Sequence, residues 1–316
     1  MLRPETDNLY LQRVNAVIDS IYSGLDGDLS LEALASVAGF SEYHFHRIFS
    51  AVVGETLNDF VARVRVERAA ALMLTSPQMS VLDAALSCGY QSASGFSRAF
   101  KRRFGFSPRR WDRSSPLALE AIKDSKIGQV PDAFPHYTVD RLQEVANSDG
   151  FSVRLIDIPA QRLAYIRVAD AYSDFQRILD AYATLKAWYQ RCVGDPSCTT
   201  LYGMSMEDRH LTDIGKVYFD WCLALPEGWT GWSGWSGWPD QGISVRELPA
   251  FRAAAIHLYG DLPMEDRAWQ YLWRYWLPRS RYQPAALPMM EIYRQMPDAL
   301  DWDCFDMDCA IPVEAL

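Results

Sequence analysis

Residues 80–111 contain two short helical patterns separated by a glycine, and the same arrangement occurs once upstream. The first pattern ends at Gly89, where a tight turn needs the positive φ that glycine tolerates. The second begins at the polar residue Ser92 and places Phe96, Ala99 and Phe100 on one face at helical spacing. Its other face is polar and basic. Two helices joined by such a turn, with a basic outer face on the second, are typical of a helix-turn-helix.

The upstream copy spans residues 30–60. Gly39 corresponds to Gly89 at an offset of 50 residues, and Gly54 corresponds to Gly105 at an offset of 51, so the second turn carries one additional residue. Between the copies, residues 58–74 have apolar side chains at helical spacing, which predicts a rigid connecting helix. Such a connector would let one chain contact two successive major-groove faces, about 34 Å apart on one side of B-form DNA.

The run GYQSASGFSRAFKRRFGFSPRRW, at this distance from a first copy, resembles the AraC/XylS family of transcription regulators. The DNA-binding domain of that family carries two helix-turn-helix units joined by a long helix, and the resemblance covers about residues 8–113. It implies binding of double-stranded DNA, with RNA polymerase as a further partner. Asp112 stands where an arginine commonly follows the aromatic residue in the family. Arg110 or Arg113 could supply that phosphate contact instead.

The DNA contacts follow from residue type together with the resemblance. Side chains on the outward faces of the two recognition helices are expected to meet base edges, with Arg47 the best candidate for bidentate reading of a guanine. The expected base contacts are Tyr43, His46, Arg47, Ser92, Ser94, Ser97 and Arg98. The expected phosphate contacts are Lys101, Arg102, Arg103 and Arg110. A solvated basic surface is the alternative reading of the run from Lys101 to Arg103.

Charge is divided unevenly along the 316 residues, whose net charge is −9. Residues 1–115 hold 13 Lys and Arg against 12 Asp and Glu, whereas the remainder holds 18 against 28. The positive field is therefore local to the repeated motif, and the acidic remainder suits a cationic or neutral ligand. A chain of this length also favours two domains.

A second internal duplication follows residue 150. When Pro159 is aligned with Pro249, the two stretches that contain them match, and each continues into an apolar helix and two further strands. The pattern predicts a multidomain protein in which an all-α double helix-turn-helix domain precedes an α+β domain of two pseudo-twofold-related β-α-β-β units. The expected boundaries are residues 1–113 for the first domain, 114–150 for a linker and 151–316 for the second domain.

The second half resembles the GyrI-like effector-binding domains, named after the bacterial gyrase-inhibitory protein, through LPMMEIYR and the terminal strand ending in IPV. The resemblance implies a pocket for cationic or lipophilic compounds, and hence multidrug binding, built around a glutamate in an E-x-Y pattern. Here these positions are Glu291 and Tyr293. A carboxylate among aromatic faces suits an organic cation. Further candidates are Tyr165, Tyr218, Trp221, Tyr259, Trp273 and Trp276, with Asp220 and Asp306 as secondary acids. For each aromatic residue a place in the core is the alternative.

Several remaining features point to no additional chemistry. The six cysteines contain no CxxC pair, and the histidines are scattered, so we expect no metal and no cofactor. No segment has the length of a signal peptide or membrane span, so the protein is expected to be cytoplasmic and associated with the nucleoid. The tract GWTGWSGWSGW, residues 228–238, could form a lid, an aromatic partner surface or a self-packed loop.

The leading functional prediction is a ligand-responsive, non-enzymatic transcription regulator. One alternative gives the C-terminal domain a hydrolase-like activity, with Glu291 as general base. The other is a constitutive DNA-binding protein whose acidic domain contacts a protein partner. An open groove containing Glu291 would favour the first over the last.

Overall fold

The computed structural model describes residues 4–76, 78–113, 147–207, 211–230 and 242–315. The N-terminal part is helical, with α1 (Pro4–Ser23), α2 (Leu31–Ala38), α3 (Glu42–Val53), α4 (Leu57–Thr75), α5 (Val81–Ser87) and α6 (Ala93–Phe104). A short 3-10 turn, Pro108–Arg110, follows. No helix among the described residues is both long and apolar enough to cross a membrane.

The two predicted helix-turn-helix units are α2–α3 and α5–α6, and α4 is the predicted connector. Gly39, Gly54, Gly89 and Gly105 all have positive φ, as the turns require. Gly89 is constrained twice, because a Cβ there would also lie 2.3 Å from the Leu25 carbonyl oxygen. Ser30, Ser80 and Ser92 cap α2, α5 and α6 through their side-chain oxygens, and Ser41 precedes α3 without a side-chain bond.

The C-terminal part is a nine-stranded sheet whose pairings are antiparallel. Its first half contains β1 (Val153–Ile158), β2 (Gln161–Ala169), α7 (Phe175–Cys192), β3 (Leu201–Ser205) and β4 (Tyr218–Ala224). Its second half contains β5 (Ile243–Leu248), β6 (Phe251–Gly260), α8 (Leu262–Gln270), β7 (Tyr282–Pro284), β8 (Met289–Tyr293) and β9 (Phe305–Ala315). A π-helical turn, Tyr271–Trp276, extends α8. The predicted fold class is confirmed.

Each half begins with two strands, not the single strand expected. The break falls between β1 and β2 at Pro159, which lacks an N–H for the sheet, and between β5 and β6 at Pro249. The strand order is β1-β6-β9-β8-β3-β4-β2-β5, with β7 beside β9, so each half lends its first strand to the other. This order is compatible with the pseudo-twofold relation, which stays a prediction. The expected linker lies mostly outside the described residues.

Different helices pack against the two faces of the sheet. Helices α7 and α8 pack on one face, here called the helix face, over Trp221, Leu223, Ile256 and Met307. The opposite face buries a smaller cluster that includes Tyr165, Met204 and Cys222. Helix α1 packs beside β5 at this opposite face, where Gln12 donates to the Ile243 carbonyl oxygen at 2.8 Å.

Candidate functional site: two recognition helices, an acidic groove and the junction between them

The outward face of α3 is exposed while its inner face is fully buried. Phe45 and Phe49 are 0% exposed, whereas Tyr43 is 70% exposed and His46 and Arg47 are also exposed. The Arg47 guanidinium lies over the Tyr43 ring at 5.8 Å, which orients it outward. The three residues expected to contact bases in the first unit therefore share one accessible surface.

Helix α6 likewise has a buried inner face and an exposed outward face. Phe96, Phe100 and Phe104 are fully buried, and Ser92, Ser94, Arg98, Lys101 and Arg102 are exposed. Ser92 accepts a hydrogen bond from the Gly95 N–H as the helix cap, and Ser97 is only partly exposed at the edge of the face. Arg110 is exposed on the adjoining turn. Arg113, the other substitute considered for that phosphate contact, instead donates to the Met79 carbonyl oxygen at 2.8 Å.

Arg103 departs from the expectation for the basic run. Its guanidinium donates to Glu67 in α4 at 2.9 Å, and it also bonds Asp213 and the Leu211 carbonyl oxygen of the C-terminal domain. The phosphate contact assigned to it is therefore wrong in this arrangement. The helical period explains the difference, because Arg103 lies one residue before buried Phe104 and projects toward the connector and not outward.

Glu291 lies on the helix face of the sheet, on β8 directly beside β3, and the group of side chains around its carboxylate is called the groove below. The Tyr293 hydroxyl donates to its Oε2 at 2.6 Å. Burial and the neighbouring charges of Glu291 and Glu265 raise the pKa of Tyr293 well above its usual range, so that hydroxyl remains a donor. On β3, Gly203 pairs with Glu291, and a Cβ at Gly203 would lie 2.4 Å from Oε2. The carboxylate therefore occupies space that only glycine leaves open.

An aromatic cluster continues from this carboxylate. Trp221 lies 5.4 Å from Tyr293 and 5.0 Å from Phe219, measured between ring centroids. Trp302 stands edge-on to Tyr182 at 5.0 Å. Trp221 donates from its indole N–H to the Ile178 carbonyl oxygen in α7, which fixes its ring. Negative charge beside aromatic faces is the environment that binds organic cations.

The groove contains a second acid that the sequence did not reveal. Glu265 of α8 is buried, accepts a hydrogen bond from the Trp269 indole at 2.9 Å, and acts electrostatically on Tyr293. Gly203 and Phe219 were also missed. A glycine in the middle of a strand is a signal of close approach, and Phe219 has the same strand parity as Trp221.

Four other predicted ligand residues face away from this groove. Tyr165, Tyr218 and Asp220 point to the opposite face of the sheet, toward the helical domain, and the Tyr165 hydroxyl donates to Asp19 in α1 at 2.7 Å. Asp306 also lies on the opposite face, near His257 and Gln295. These corrections follow from the alternation of side chains along a strand. Asp220 and Trp221 are adjacent and therefore lie on opposite faces of the sheet.

The last three aromatic candidates are dispersed. Tyr259 is 61% exposed, on the face opposite the helices. Trp276 stacks on Tyr282 with an interplanar angle of 14°. Trp273 packs against the helix-face core and lines a cleft between the domains. Of the ten predicted ligand residues, the structure brings together Glu291, Tyr293 and Trp221.

Two buried ion networks connect the domains. In the first, Arg167 of β2 donates to Asp220 at 2.7 and 2.8 Å and to Asp19 at 2.6 Å, while Arg246 donates to Asp220 at 2.9 Å. Burial opposes ionisation of Asp19, but the charges of Arg167 and Arg246 hold its pKa below the usual range. Two carboxylates and two guanidinium groups thus neutralise one another across the junction.

The second network is centred on Glu67 of α4. It accepts hydrogen bonds from Arg63 in its own helix, from Arg103 in α6 and, at 2.7 Å, from the Thr212 hydroxyl in the β3–β4 connection. Nearby, Lys216 bonds Glu55 at 3.0 Å. The C-terminal domain therefore contacts the second recognition helix through one shared carboxylate.

Glu207 is a third buried acid at the junction. The Tyr22 hydroxyl donates to its Oε1, and the Tyr218 backbone N–H donates to its Oε2 at 3.2 Å. Burial raises the pKa of Glu207 to about 7, against the opposing charge of Arg63. Among the described residues, no group of histidine, cysteine and acidic side chains has the geometry of a metal site.

Together these features define a multidomain protein in which a helical region with two helix-turn-helix units precedes an α+β domain with an antiparallel sheet. A helix-turn-helix domain model matches residues 34–114, and a GyrI-like small molecule binding domain model matches residues 151–314. The chain therefore belongs to the GyrI-like family, and its N-terminal half is a helix-turn-helix domain of the AraC/XylS type.

Curated relatives match the N-terminal half. The transcriptional regulator Rob of Salmonella typhimurium is 38% identical over 100 residues, which are 31% of this chain and 34% of Rob. An HTH-type transcriptional regulator of Haemophilus influenzae is 35% identical over 106 residues, 34% of this chain and 35% of that protein. The match thus spans about a third of each of these relatives. The regulatory protein SoxS of Salmonella typhimurium is 30% identical over 97 residues, 31% of this chain and 90% of SoxS.

Solved structures resemble each half. The DNA-binding domain of AdpA, in complex with a target DNA, has a TM-score of 0.32 and 26% identity, covering 34% of this chain and 95% of that one. The C-terminal domain of EcmrR has a TM-score of 0.39 and 14% identity, covering 52% of this chain and 99% of that one.

Proposed function

We propose that this protein is a sequence-specific DNA-binding transcription regulator whose C-terminal domain binds a small effector. One observation carries the proposal: the outward faces of both recognition helices, α3 and α6, are exposed, although the C-terminal domain packs against the rest of the helical domain. A surface that carries Arg47 in one unit and Arg98 in the other has the chemistry to read base edges. The basic residues Lys101, Arg102 and Arg110 would then contact phosphates.

The effector proposed for the groove is an organic cation. Glu291 and Glu265 supply negative charge, and Tyr293, Trp221 and Phe219 supply aromatic faces beside it. Binding would change DNA affinity only if the effector favours one arrangement of the domains over another. The β3–β4 segment supports such coupling, because it carries Gly203 beside Glu291 and Thr212 beside Glu67.

The DNA half of the proposal is tested with the full chain and a random duplex library. After selection of a preferred sequence, Arg47→Ala and Arg98→Ala should each weaken it by about 1–3 kcal/mol and relax preference at particular positions. Arg177→Ala, on the surface of α7, is the matched control. Retention of the full base preference in both recognition-helix variants would contradict the base contacts proposed here.

The effector half is tested by thermal shift of the full chain with aromatic ammonium compounds and neutral analogues of the same shape. A cation that binds the native state raises the melting temperature, and the rise grows with the logarithm of the ratio of its concentration to its dissociation constant. Glu291→Gln should remove that stabilisation, whereas Glu227→Gln, at an exposed loop, should not. Equal stabilisation by charged and neutral analogues would contradict a cationic effector.

A further inference from the structure

The two helix-turn-helix units have separate hydrophobic cores, and the connecting helix α4 contributes to both. The first half of α4 places Phe60 and Val64 in the core that it shares with α1, α2 and α3. The second half places Ala69 and Met73 in the core that it shares with α5 and α6. The mutual orientation of the two recognition helices therefore depends on α4 and on the contacts that join the two units beside it.

Arg65 lies in α4 at the boundary between these two cores. Its Nε donates to the Leu25 carbonyl oxygen at 2.9 Å. Leu25 belongs to the connection between α1 and α2, and its side chain is buried in the core of the first unit. The first unit therefore holds this carbonyl group in place, and the connecting helix supplies the donor that binds it.

The same carbonyl oxygen and guanidinium lie against the turn of the second unit. A Cβ at Gly89 would lie 2.3 Å from the Leu25 oxygen and 2.8 Å from Arg65 Nη2, so the glycine leaves room for both groups. The Arg65 charge also acts on Cys88 and Tyr90, the residues on either side of Gly89 in sequence. Cys88 is buried in the core of the second unit. One guanidinium thus contacts backbone that is anchored in both cores.

Arg13 of α1 makes a similar contact that stays within one unit. Its Nη1 donates to the Gly39 carbonyl oxygen at 3.0 Å, and its guanidinium lies over the Phe40 ring at 4.7 Å. Each of the two turns is therefore in contact with an arginine from the helix that precedes its unit. Arg13 joins parts of the first unit to each other, whereas Arg65 joins the second unit to the first through Leu25.

We propose that Arg65 is a positioning residue that sets the number of base pairs between the two DNA elements read by α3 and α6. This role depends on the sequence-specific DNA binding proposed above. A spacing change of one base pair moves the second element by about 3.4 Å and rotates it by about 35° around the duplex. A rigid-body movement of one unit that follows this shift separates Gly89 from Leu25 and breaks the Arg65 hydrogen bond. The contact therefore favours one spacing over its neighbours.

The test measures the affinity of the full chain for three duplexes: the selected site, and copies with one base pair inserted or deleted between its two elements. Arg47→Ala and Arg98→Ala locate the elements, because each relaxes the base preference at one of them. The spacing ratio is the affinity for the selected site divided by that for a shifted copy. Both affinities come from one protein preparation, so a loss of folded protein cancels in the ratio.

Arg65→Gln should lower the spacing ratio about tenfold, because binding to a shifted duplex no longer requires the loss of a hydrogen bond to a charged group. Base preference within each element should stay the same. Gly89→Ala should also lower the ratio, because its Cβ displaces the Leu25 carbonyl without altering Arg65, and it decides the matter if Arg65→Gln does not fold. Arg13→Gln is the matched control and should leave the ratio unchanged.

Two different failures are distinguishable. If the unaltered protein selects a preferred site but its spacing ratio is near one, or if Arg65→Gln and Gly89→Ala keep the unaltered ratio, the role of Arg65 is overturned. An equal fall in Arg13→Gln would overturn it too. If the unaltered protein selects no preferred sequence, the proposed function fails and the role of Arg65 fails with it.

Discussion

In β4, Trp221 packs beneath α7 while its neighbour Asp220 pairs with Arg167 and Arg246 on the other face of the sheet. The sequence suggests equal roles for Asp220 and Asp306 because they occupy matching positions of the two halves. Their surroundings differ, since Asp220 is 0% exposed and Asp306 is partly exposed near His257. The two aspartates differ in exposure because the helical domain covers Asp220 and not Asp306, which the strand pattern alone does not show.

The first prediction concerns these two aspartates. Asp220→Asn should destabilise the protein by about 3–5 kcal/mol, because two buried guanidinium groups lose a shared carboxylate. Asp306→Asn should cost less than about 1 kcal/mol, because its partner lies at a partly exposed site. Urea unfolding of both variants measures the contrast, and similar losses would show that the two positions are equivalent after all.

Gly203 gives a second prediction at the residue scale. Gly203→Ala places a Cβ 2.6 Å from the Phe219 ring and still closer to Glu291, so the groove must shift. We expect about 1–3 kcal/mol of destabilisation together with loss of effector binding. Gly215→Ala is the control, because its nearest neighbour would lie 3.5 Å away. An unaltered groove affinity in Gly203→Ala would mean that the Glu291 carboxylate moves freely.

Helix α6 presents two kinds of basic residue. Lys101 is exposed, whereas Arg103 bonds Glu67, Asp213 and the Leu211 carbonyl oxygen. Lys101→Ala should weaken all DNA sequences alike and reduce the slope of log affinity against log salt by about 1. Arg103→Ala should leave that slope unchanged and instead lower stability, because Glu67 keeps a buried charge with one partner fewer. Fluorescence anisotropy at several salt concentrations, with urea unfolding beside it, separates the two. Equal salt slopes for Lys101→Ala and the unaltered protein would contradict the phosphate contact proposed for Lys101.

The elements themselves were largely predictable. Helices α3 and α6 follow from an initial serine, a terminal glycine and phenylalanines at helical spacing, and α4 follows from apolar side chains at helical spacing, all of which are local signals. Strand faces were less predictable. Alternation groups Glu291 with Tyr293, yet it does not say which face of the sheet a second domain will cover. Tyr165 and Asp220 were misplaced for that reason, and Arg103 of α6 was misplaced because its partner Asp213 belongs to the C-terminal domain. Each of the three meets a partner more than fifty residues away in sequence.

At the scale of the whole molecule, Glu207 makes the junction sensitive to pH. Its folded-state pKa is raised to about 7 from an ordinary value near 4.5, so its stabilising contribution is complete below pH 4.5 and is lost as pH rises through 7. Relative to Glu207→Gln, the free energy of unfolding should fall by about 2 kcal/mol between pH 5 and pH 8.

Tyr22, Arg63 and Glu67 lie around this carboxyl and are unchanged in the variant, so the difference between the two proteins isolates Glu207. Chemical denaturation at pH 5, 6, 7 and 8 provides the measurement. Parallel curves for the two proteins would show that Glu207 titrates near its ordinary pKa in the folded state.

The two ion networks also determine how the molecule comes apart. Detaching the helical domain would leave Asp220, Arg167 and Arg246 without Asp19, and would expose Leu211 and Tyr218, whose side chains lie in the hydrophobic cores of that domain. Each half thus completes the other's interior. Calorimetry should accordingly record one cooperative melting transition and not two. The C-terminal domain produced alone should differ in stability from the same residues in the intact chain, because its contacts with the helical domain would be missing.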